Sequence, residues 1–233
     1  SFTYDQDYYN NTGFMTDVLT DTAVTWIAQQ AKDNSSPFFM MFNYQNPHDH
    51  AGVFGGSDTI PYTVEDFALA PGGLTTGQKR KWAALYNMDK SVGRILDTLS
   101  LLGISENTIV IFTSDNGGDD TNNADNGPYS GDKGEVAEGG VRVPFIWYHP
   151  GTVDSTTIDS LCALEDMLPT LIKGVVGGSI RQPVDGINFY PLLTGGTVPI
   201  RYYHGPWVEE NKVWSVYKGA MWKLVNNKFN VTT

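Results

Sequence analysis

The sequence predicts an α/β fold, in which short buried strands alternate with amphipathic helices. Two continuous apolar runs, residues 38–42 and 108–113, are too short to form helices of their own and are typical of strands covered on both faces. Apolar residues at helical spacing occupy residues 19–31 and 82–99. This order of elements is that of α/β proteins, which bind ligands outside the carboxyl ends of their strands.

The first half of the chain contributes two of the predicted helices. Thr16 or Thr20 is the expected cap of the first helix, which ends at residues 34–37. A loop-like stretch rich in glycine and proline follows, over residues 51–75. The second helix ends at Gly103. The apolar residues that predict the two helices are Leu19, Ala23, Trp26, Ile27, Ala31, Trp82, Leu85, Tyr86, Val92, Ile95, Leu96 and Leu99.

The second half contributes a third strand and a further helix, and after about residue 200 the sequence pattern changes to that of antiparallel strands. Residues 141–147 predict a strand near a sheet edge, because Pro144 lacks the N–H that a central ladder needs. Residues 161–172 predict a helix, broken or restarted at Pro169, that includes a buried Cys162. A β-hairpin turning at Lys218-Gly219 follows. We therefore predict one α/β domain over residues 1–200 and the start of a small antiparallel subdomain over residues 201–233.

Charge and composition exclude several classes of partner. The 233 residues include 15 basic and 26 acidic side chains, a formal charge of -11, which argues against nucleic-acid binding through a basic face. No apolar run reaches the length of a membrane span. The first residues lack a signal peptide and a starting Met, so a mature or cleaved product is expected. Sequons at Asn10, Asn34 and Asn230 favour glycosylation and a secreted, lysosomal or periplasmic-type location.

A pair of oxygen donors follows the second predicted strand, in Ser114-Asp115-Asn116-Gly117-Gly118. A carboxylate and an amide oxygen are ligands for a hard cation, Ca²⁺ or Mg²⁺, rather than for a soft metal. The competing interpretation is a plain Asn-Gly turn, which is common after strands. Two donors alone do not fill the shell of either cation.

Two further side chains stand in loops of the same kind. Lys133 lies between Gly131 and Gly134, where glycines allow backbone to approach a ligand closely. His48 follows the first predicted strand, and an imidazole is a common proton donor in catalysis. Each has a plain alternative, a solvated surface lysine and a loop histidine without a role. The side chains expected to be structural or at the surface are His50, His149 and His204. Arg142 is expected to be paired within its strand, with a substrate contact as the alternative.

The order of these pieces resembles the sulfatase family, and within it the arylsulfatase B-like enzymes. The resemblance covers nearly the whole chain. Its segments are residues 13–21, 37–39 and 46–48, then 107–118, 126–128, 131–134 and 138–144, and finally 166–171 and 222–224.

The resemblance implies an alkaline-phosphatase-like sandwich, with a large mixed sheet flanked by helices, and hydrolysis of sulfate monoesters. It implies that Asp115 and Asn116 are calcium ligands and that Lys133 and His48 contact the sulfate of a sulfated small molecule or glycan. The residue two after the histidine, usually proline in the family, is His50 here, which leaves the shape of that loop open. The family's nucleophile, a formylglycine made from cysteine in a C-x-P-x-R motif, is absent, because Cys162 precedes Ala-Leu-Glu-Asp. The resemblance therefore implies that residues 1–200 are the C-terminal portion of a sulfatase catalytic domain and that the nucleophile lies in upstream sequence. We expect this chain to be inactive alone and to associate with an N-terminal chain or fragment of the same enzyme.

Three other readings remain open from the sequence. A phosphodiesterase or phosphonate hydrolase of the same fold would use a similar site. A non-catalytic sulfatase-like glycoprotein would have lost the cysteine motif upstream. In the third reading, the polypeptide acts alone and represents a new kind of protein. The natural substrate and the oligomeric state have no signature in the sequence.

Overall fold

The computed structural model describes residues 14–33, 35–48, 60–119 and 123–199, and the backbone of four strands between residues 202 and 231. The chain forms two compact units. The first comprises Ser1–Thr108 with Asp120–Ala124, and the second comprises Ile109–Asp119 with Asp125–Thr233. None of the helices in these described ranges combines the length and apolarity that crossing a bilayer requires.

The first unit is built on two long helices, α1 (Met15–Asp33) and α3 (Thr76–Leu101), which pack together. Both were predicted from their apolar spacing, and both are confirmed. Thr75 caps α3 in a reciprocal capping box with Gln78, which satisfies two backbone N–H groups at the helix start. Thr16 and Thr20, the predicted caps of α1, lie inside that helix and are buried.

A short helix, α2 (Val64–Ala68), interrupts the stretch predicted to be a loop. The Thr63 side chain accepts a hydrogen bond from the Asp66 N–H and so caps this helix. Asp66 is fully buried, and its carboxylate accepts hydrogen bonds from Lys90 Nζ at 2.5 Å and Asn87 Nδ2 at 3.2 Å. This ion pair, in which the carboxylate is buried and Lys90 is partly exposed, anchors α2 on α3.

The predicted strand at residues 38–42 is wrong: the segment is irregular and follows α1. Phe39 and Met41 are 76% and 75% exposed. Phe38 packs edge-on against Trp26 of α1, at 5.5 Å between ring centroids. No strand within the described ranges pairs with this segment, and a strand requires a partner to satisfy its backbone groups.

The second unit contains the strand pair β1 (Val110–Thr113) and β2 (Phe145–Tyr148). The strands are antiparallel, and Val110 lies opposite Tyr148. The strand predicted over residues 141–147 begins later than predicted, at Phe145. Residues 138–141 instead form a helical turn, α4 (Glu138–Val141). All four residues of β1 are half-buried rather than fully buried.

Phe189, which is 2% exposed, is the centre of the packing beneath this strand pair. The Phe145 and Trp147 rings meet it edge-on, at centroid distances of 5.8 and 6.0 Å. It immediately precedes the short helix α6 (Tyr190–Leu193), in which Leu193 is also buried. This aromatic cluster fixes β2, and through the ladder it fixes the end of β1.

The helix predicted over residues 161–172 is a composite. It consists of a 3₁₀ turn (Leu164–Asp166), a helical turn, α5 (Met167–Pro169), and a π-helix (Thr170–Val175). The buried Asp166 carboxylate accepts hydrogen bonds from Ala163 N at 2.8 Å and Ile187 N at 2.7 Å. Cys162 lies before this segment and is half-buried, so the prediction that it is buried in a helix is wrong.

Four antiparallel strands, β3 (Tyr202–His204), β4 (Ser215–Lys218), β5 (Trp222–Val225) and β6 (Lys228–Val231), form a sheet in sequence order. The predicted hairpin between β4 and β5 is confirmed. Lys218 pairs with Trp222, so three residues separate the strands instead of the predicted two.

Candidate functional site

The turn that follows β1 carries the two predicted oxygen donors. Asp115 is exposed, and its Oδ1 accepts a hydrogen bond from Asn116 N at 3.0 Å. Asn116 Nδ2 donates to Gly117 O at 2.7 Å. The Asn116 amide therefore uses a donor within the turn, and its oxygen remains the atom suited to a cation.

The lysine loop has the backbone conformation that its glycines permit. Gly131 and Gly134 have φ angles of +84° and +88°, in the left-handed region that favours glycine. Lys133 lies between them and is exposed. Its backbone N–H donates to Gly118 O at 3.0 Å, so the lysine loop is joined directly to the turn that carries Asp115 and Asn116.

Helix α4 supplies a third segment of backbone to this arrangement. Gly117 N donates to Gly140 O at 2.9 Å, and Gly139 N donates to Ser130 O at 2.8 Å. The segments are in such close contact that a Cβ built on Gly117 would lie 1.8 Å from Gly139 O. A Cβ on Gly139 would lie 2.0 Å from Gly131 O. Glycine is required at these positions because backbone passes directly over backbone.

Asn126 is a site residue that its local sequence does not identify. Its side-chain amide makes three hydrogen bonds to the backbone of Gly118 and Gly131. An Asn-Gly-Pro sequence normally indicates only a turn. The contacts that give Asn126 a role involve residues eight and five positions away, so no short pattern reveals them.

His48 belongs to the first unit, where its loop is attached to α3. Asn46 is buried and donates to Ala84 O at 3.5 Å, and Lys81 Nζ donates to Pro47 O at 3.4 Å. The Asn46–Pro47 peptide bond is cis, and His48 N donates to Gln45 O at 3.0 Å. His48 itself is exposed.

The structure thus joins Asp115, Asn116 and Lys133 by hydrogen-bonded backbone within one unit, whereas His48 is anchored in the other. Arg142 follows α4, so the prediction that it lies inside a strand is wrong; its guanidinium is 4.5 Å from the Tyr129 ring centroid. The predicted residues outside the described part are His50, Asn10 and Asn34, and of Asn230 and His204 only the backbone is described.

Comparison with known families decides to which family this chain belongs. The family model described as Sulfatase matches residues 1–175, which is most of the sequence. The chain belongs to the sulfatase family. The mouse (Mus musculus) N-acetylgalactosamine-6-sulfatase is 30% identical to it over 227 residues, which is 91% of this chain and 39% of the relative.

Solved structures confirm the fold of this sulfatase chain. The crystal structure of Ps i-CgsB in complex with k-i-k-neocarrahexaose aligns at a TM-score of 0.78 with 25% identity, covering 92% of this chain and 46% of that chain. The phosphonate monoester hydrolase SpPMH from Silicibacter pomeroyi aligns at 0.62 with 19% identity, covering 91% and 51%. The fold is thus the predicted alkaline-phosphatase-like one. The chain spans about half the length, or less, of these proteins.

The donor set of this sulfatase chain fits part of a shell for a hard cation. Asp115 and Asn116 offer a carboxylate and an amide oxygen on one turn, the ligand types that Ca²⁺ prefers. Within the described residues, no group of three or more His, Cys, Asp or Glu side chains comes together. Ca²⁺ takes six to eight oxygens, so this turn supplies only a part of the shell.

Proposed function

We propose that this chain is part of an enzyme that hydrolyses sulfate monoesters, to which it contributes part of the calcium and sulfate site. The observation that supports this most directly is the hydrogen bond from Lys133 N to Gly118 O. It joins a cationic side chain to the turn of Asp115 and Asn116 in a member of the sulfatase family. A cation and an ammonium group side by side suit a bound oxyanion.

The proposed chemistry assigns one task to each side chain. Asp115 and Asn116 would hold Ca²⁺, which when bound polarises the sulfuryl oxygens. Lys133 stabilises the charge that develops on the sulfate group as the S–O bond breaks, and its backbone is held by the bond from Lys133 N to Gly118 O. The sequence resemblance assigns to His48 the donation of a proton or a hydrogen bond to the departing oxygen.

The nucleophile of this reaction would come from outside the 233 residues. The only cysteine, Cys162, is not in a C-x-P-x-R context, so no formylglycine precursor of that pattern is present. We therefore propose that the chain alone is inactive and works together with a polypeptide that carries the precursor. Native mass measurement of the purified protein tests this association: a single 25.6 kDa species that turns over sulfate esters would contradict it.

Sulfated sugars are the proposed substrate class. The mouse relative is named for the sulfate of N-acetylgalactosamine, and the crystallised Ps i-CgsB holds a carrahexaose. With a formal charge of -11, the protein has few cations to offer an anionic substrate, and we propose Lys133 as one that contacts the sulfate. We also propose a secreted or comparable compartment with glycosylation at the three sequons, which mass analysis before and after deglycosylation would test.

Lys133→Ala in the complete enzyme provides the test of the proposed reaction. Loss of one preorganised donor costs about 2.7–4 kcal/mol of barrier, so we expect kcat against an aryl sulfate to fall at least about tenfold. Lys173→Ala, which removes an exposed lysine of the same unit, is the matched control and should retain full turnover. Equal kcat values for the two variants would refute the role of Lys133.

The same assay separates the proposed reaction from that of a phosphodiesterase or phosphonate hydrolase. The complete enzyme should turn over an aryl sulfate faster than an aryl phosphodiester, and the opposite order would favour the other class. A non-catalytic relative would turn over neither, and its upstream sequence would hold neither Cys nor Ser in the C/S-x-P-x-R context.

A further inference from the structure

Asn126 connects the loop of Lys133 to the turn of Asp115 and Asn116. We propose that Asn126 is a positioning residue, which keeps the Lys133 side chain in register with the cation-binding turn through the backbone of Gly118 and Gly131. The effect of Asn126 on catalysis rests on the function proposed above. Its effect on the position of the Lys133 loop concerns this chain alone.

The Asn126 side chain uses both of its N–H donors and its carbonyl oxygen to connect two loops. Its Oδ1 accepts from Gly118 N at 2.9 Å, and its Nδ2 donates to Gly118 O at 3.0 Å and to Gly131 O at 3.1 Å. A primary amide has two N–H donors, both engaged here, and a carbonyl oxygen, which accepts one of the two bonds that it can accept. Aspartate has the same shape but lacks the two donors, so it cannot replace this side chain.

The two backbone positions held by Asn126 are the ones that set the geometry of the site. Gly118 lies two residues after Asn116, and Gly131 lies two residues before Lys133. Gly118 O also accepts the Lys133 N–H at 3.0 Å, so this one carbonyl receives both the positioning amide and the lysine backbone. Removing the amide breaks the bond to Gly131 O and both bonds to Gly118, while the bond from Lys133 N to Gly118 O remains.

The neighbouring residue Asp125 supplies a matched control. Its carboxylate accepts from Gly127 N at 2.8 Å, a bond that stays within its own turn and does not reach the other loops. Asp125→Ala and Asn126→Ala therefore each remove side-chain hydrogen bonds from the same loop, but only the second breaks the connection between loops. A general loss of loop stability would affect both variants alike.

Kinetics in the complete enzyme test the consequence for catalysis. Substitution of a residue that orients a site group typically costs about 10–100-fold, so we expect kcat on an aryl sulfate to fall by that factor in Asn126→Ala and to stay within about twofold in Asp125→Ala. In a Lys133→Ala background, Asn126→Ala should lower kcat by less than about threefold, because the group it positions is gone. Fully additive losses would overturn the proposal.

Amide hydrogen exchange provides a readout that requires no activity. The Lys133 amide should exchange about tenfold faster in Asn126→Ala and at the wild-type rate in Asp125→Ala. Asn126→Asp keeps the acceptor and loses both donors, so its Lys133 amide should exchange as fast as in Asn126→Ala. This variant replaces Asn126→Ala in the experiment if the alanine variant does not fold. Unchanged Lys133 exchange in Asn126→Asp would overturn the positional claim. If the complete enzyme lacks sulfatase activity, the proposed function is refuted. The positional claim is separate, because amide exchange at Lys133 tests it without activity.

Discussion

At the scale of single residues, the site depends on positions that have no side chain. The turn after β1, the lysine loop and α4 approach so closely that Gly117, Gly139 and Gly140 have backbone oxygens where a Cβ would stand. This close approach lets Gly117 N reach Gly140 O and lets Gly139 N reach Ser130 O. The glycines are therefore requirements of packing, whereas Asp115 and Lys133 are exposed.

Substitution of one such glycine should be costly. In Gly117→Ala the new Cβ would lie 1.8 Å from Gly139 O, and the backbone must move apart. Overpacking of this kind costs about 1–3 kcal/mol, so a lower midpoint is expected in urea unfolding. Gly72→Ala is the control, because a Cβ there meets nothing within 4 Å. The packing account fails if the two variants unfold at the same urea concentration.

The site residues could be predicted from sequence only where a local pattern carries the chemistry. Asp115, Asn116 and Lys133 each follow a strand or lie between glycines, and the structure confirms that they occupy neighbouring loops. Asn126 acts through bonds to Gly118 and Gly131, which its own neighbours in the sequence do not indicate. Side-chain bonds across loops depend on the fold, so local patterns do not predict them.

At the scale of elements, the long helices were predictable because the signals that mark them, apolar spacing and a terminating glycine, lie within their own stretch of sequence. Helix α3 begins in a capping box at Thr75 and ends just before Gly103, whose φ of +68° suits a helix terminator. The segment 38–42 was not predictable in this way. An apolar run indicates a strand only if a partner strand is present, and its exposed Phe39 and Met41 have no such partner among the described residues.

A pair of glycines in and after α3 tests this account of the helix. A Cβ at Gly93 or at Gly103 would meet nothing within 4 Å, but only Gly103 has a positive φ. Gly93→Ala should therefore stabilise the protein by about 0.5–1 kcal/mol, because alanine loses less backbone entropy in a helix. Gly103→Ala should destabilise it, and thermal melting distinguishes the two. Equal shifts of the same sign would contradict the account.

The ion pair that anchors α2 should give the first unit an acid-sensitive component of stability. Burial alone would raise the pKa of Asp66, but hydrogen bonds from Lys90, Thr63 and Asn87 outweigh it and hold the pKa below its usual 3.8. Because the pKa is lower in the folded state, the carboxylate stabilises that state fully at pH values above the pKa of the unfolded state. This stability is lost as the pH falls through the pKa of the folded state.

Urea unfolding between about pH 6 and about pH 3 measures this component. The free energy of unfolding of the wild type should decline as pH falls below about 4. Asp66→Asn should be less stable at neutral pH and should decline less steeply over the same interval, because it has no carboxylate to protonate. Parallel pH profiles for the two proteins would assign the acid sensitivity to other groups.

At the scale of the whole molecule, the chain belongs to the sulfatase family, and hydrogen bonds among three loops organise its candidate site. These backbone bonds join the turn of Asp115 and Asn116 to the loop of Lys133. The chain spans 39% of the mouse relative, and the two oxygen donors of the turn are too few for a calcium shell. We propose that the remaining ligands and the nucleophile lie outside these 233 residues.

The central claim is that Asp115 serves a calcium site for sulfate ester hydrolysis. Inorganic sulfate released from an aryl sulfate by the complete enzyme, followed as Ca²⁺ is removed with a chelator and then titrated back, tests it most directly. We predict that release stops on chelation and recovers with Ca²⁺, and that Asp115→Asn needs at least about tenfold more Ca²⁺ for half-recovery, because a ligand charge is lost. Sulfate release that persists without Ca²⁺, or an Asp115→Asn titration that coincides with the wild type, would contradict the claim.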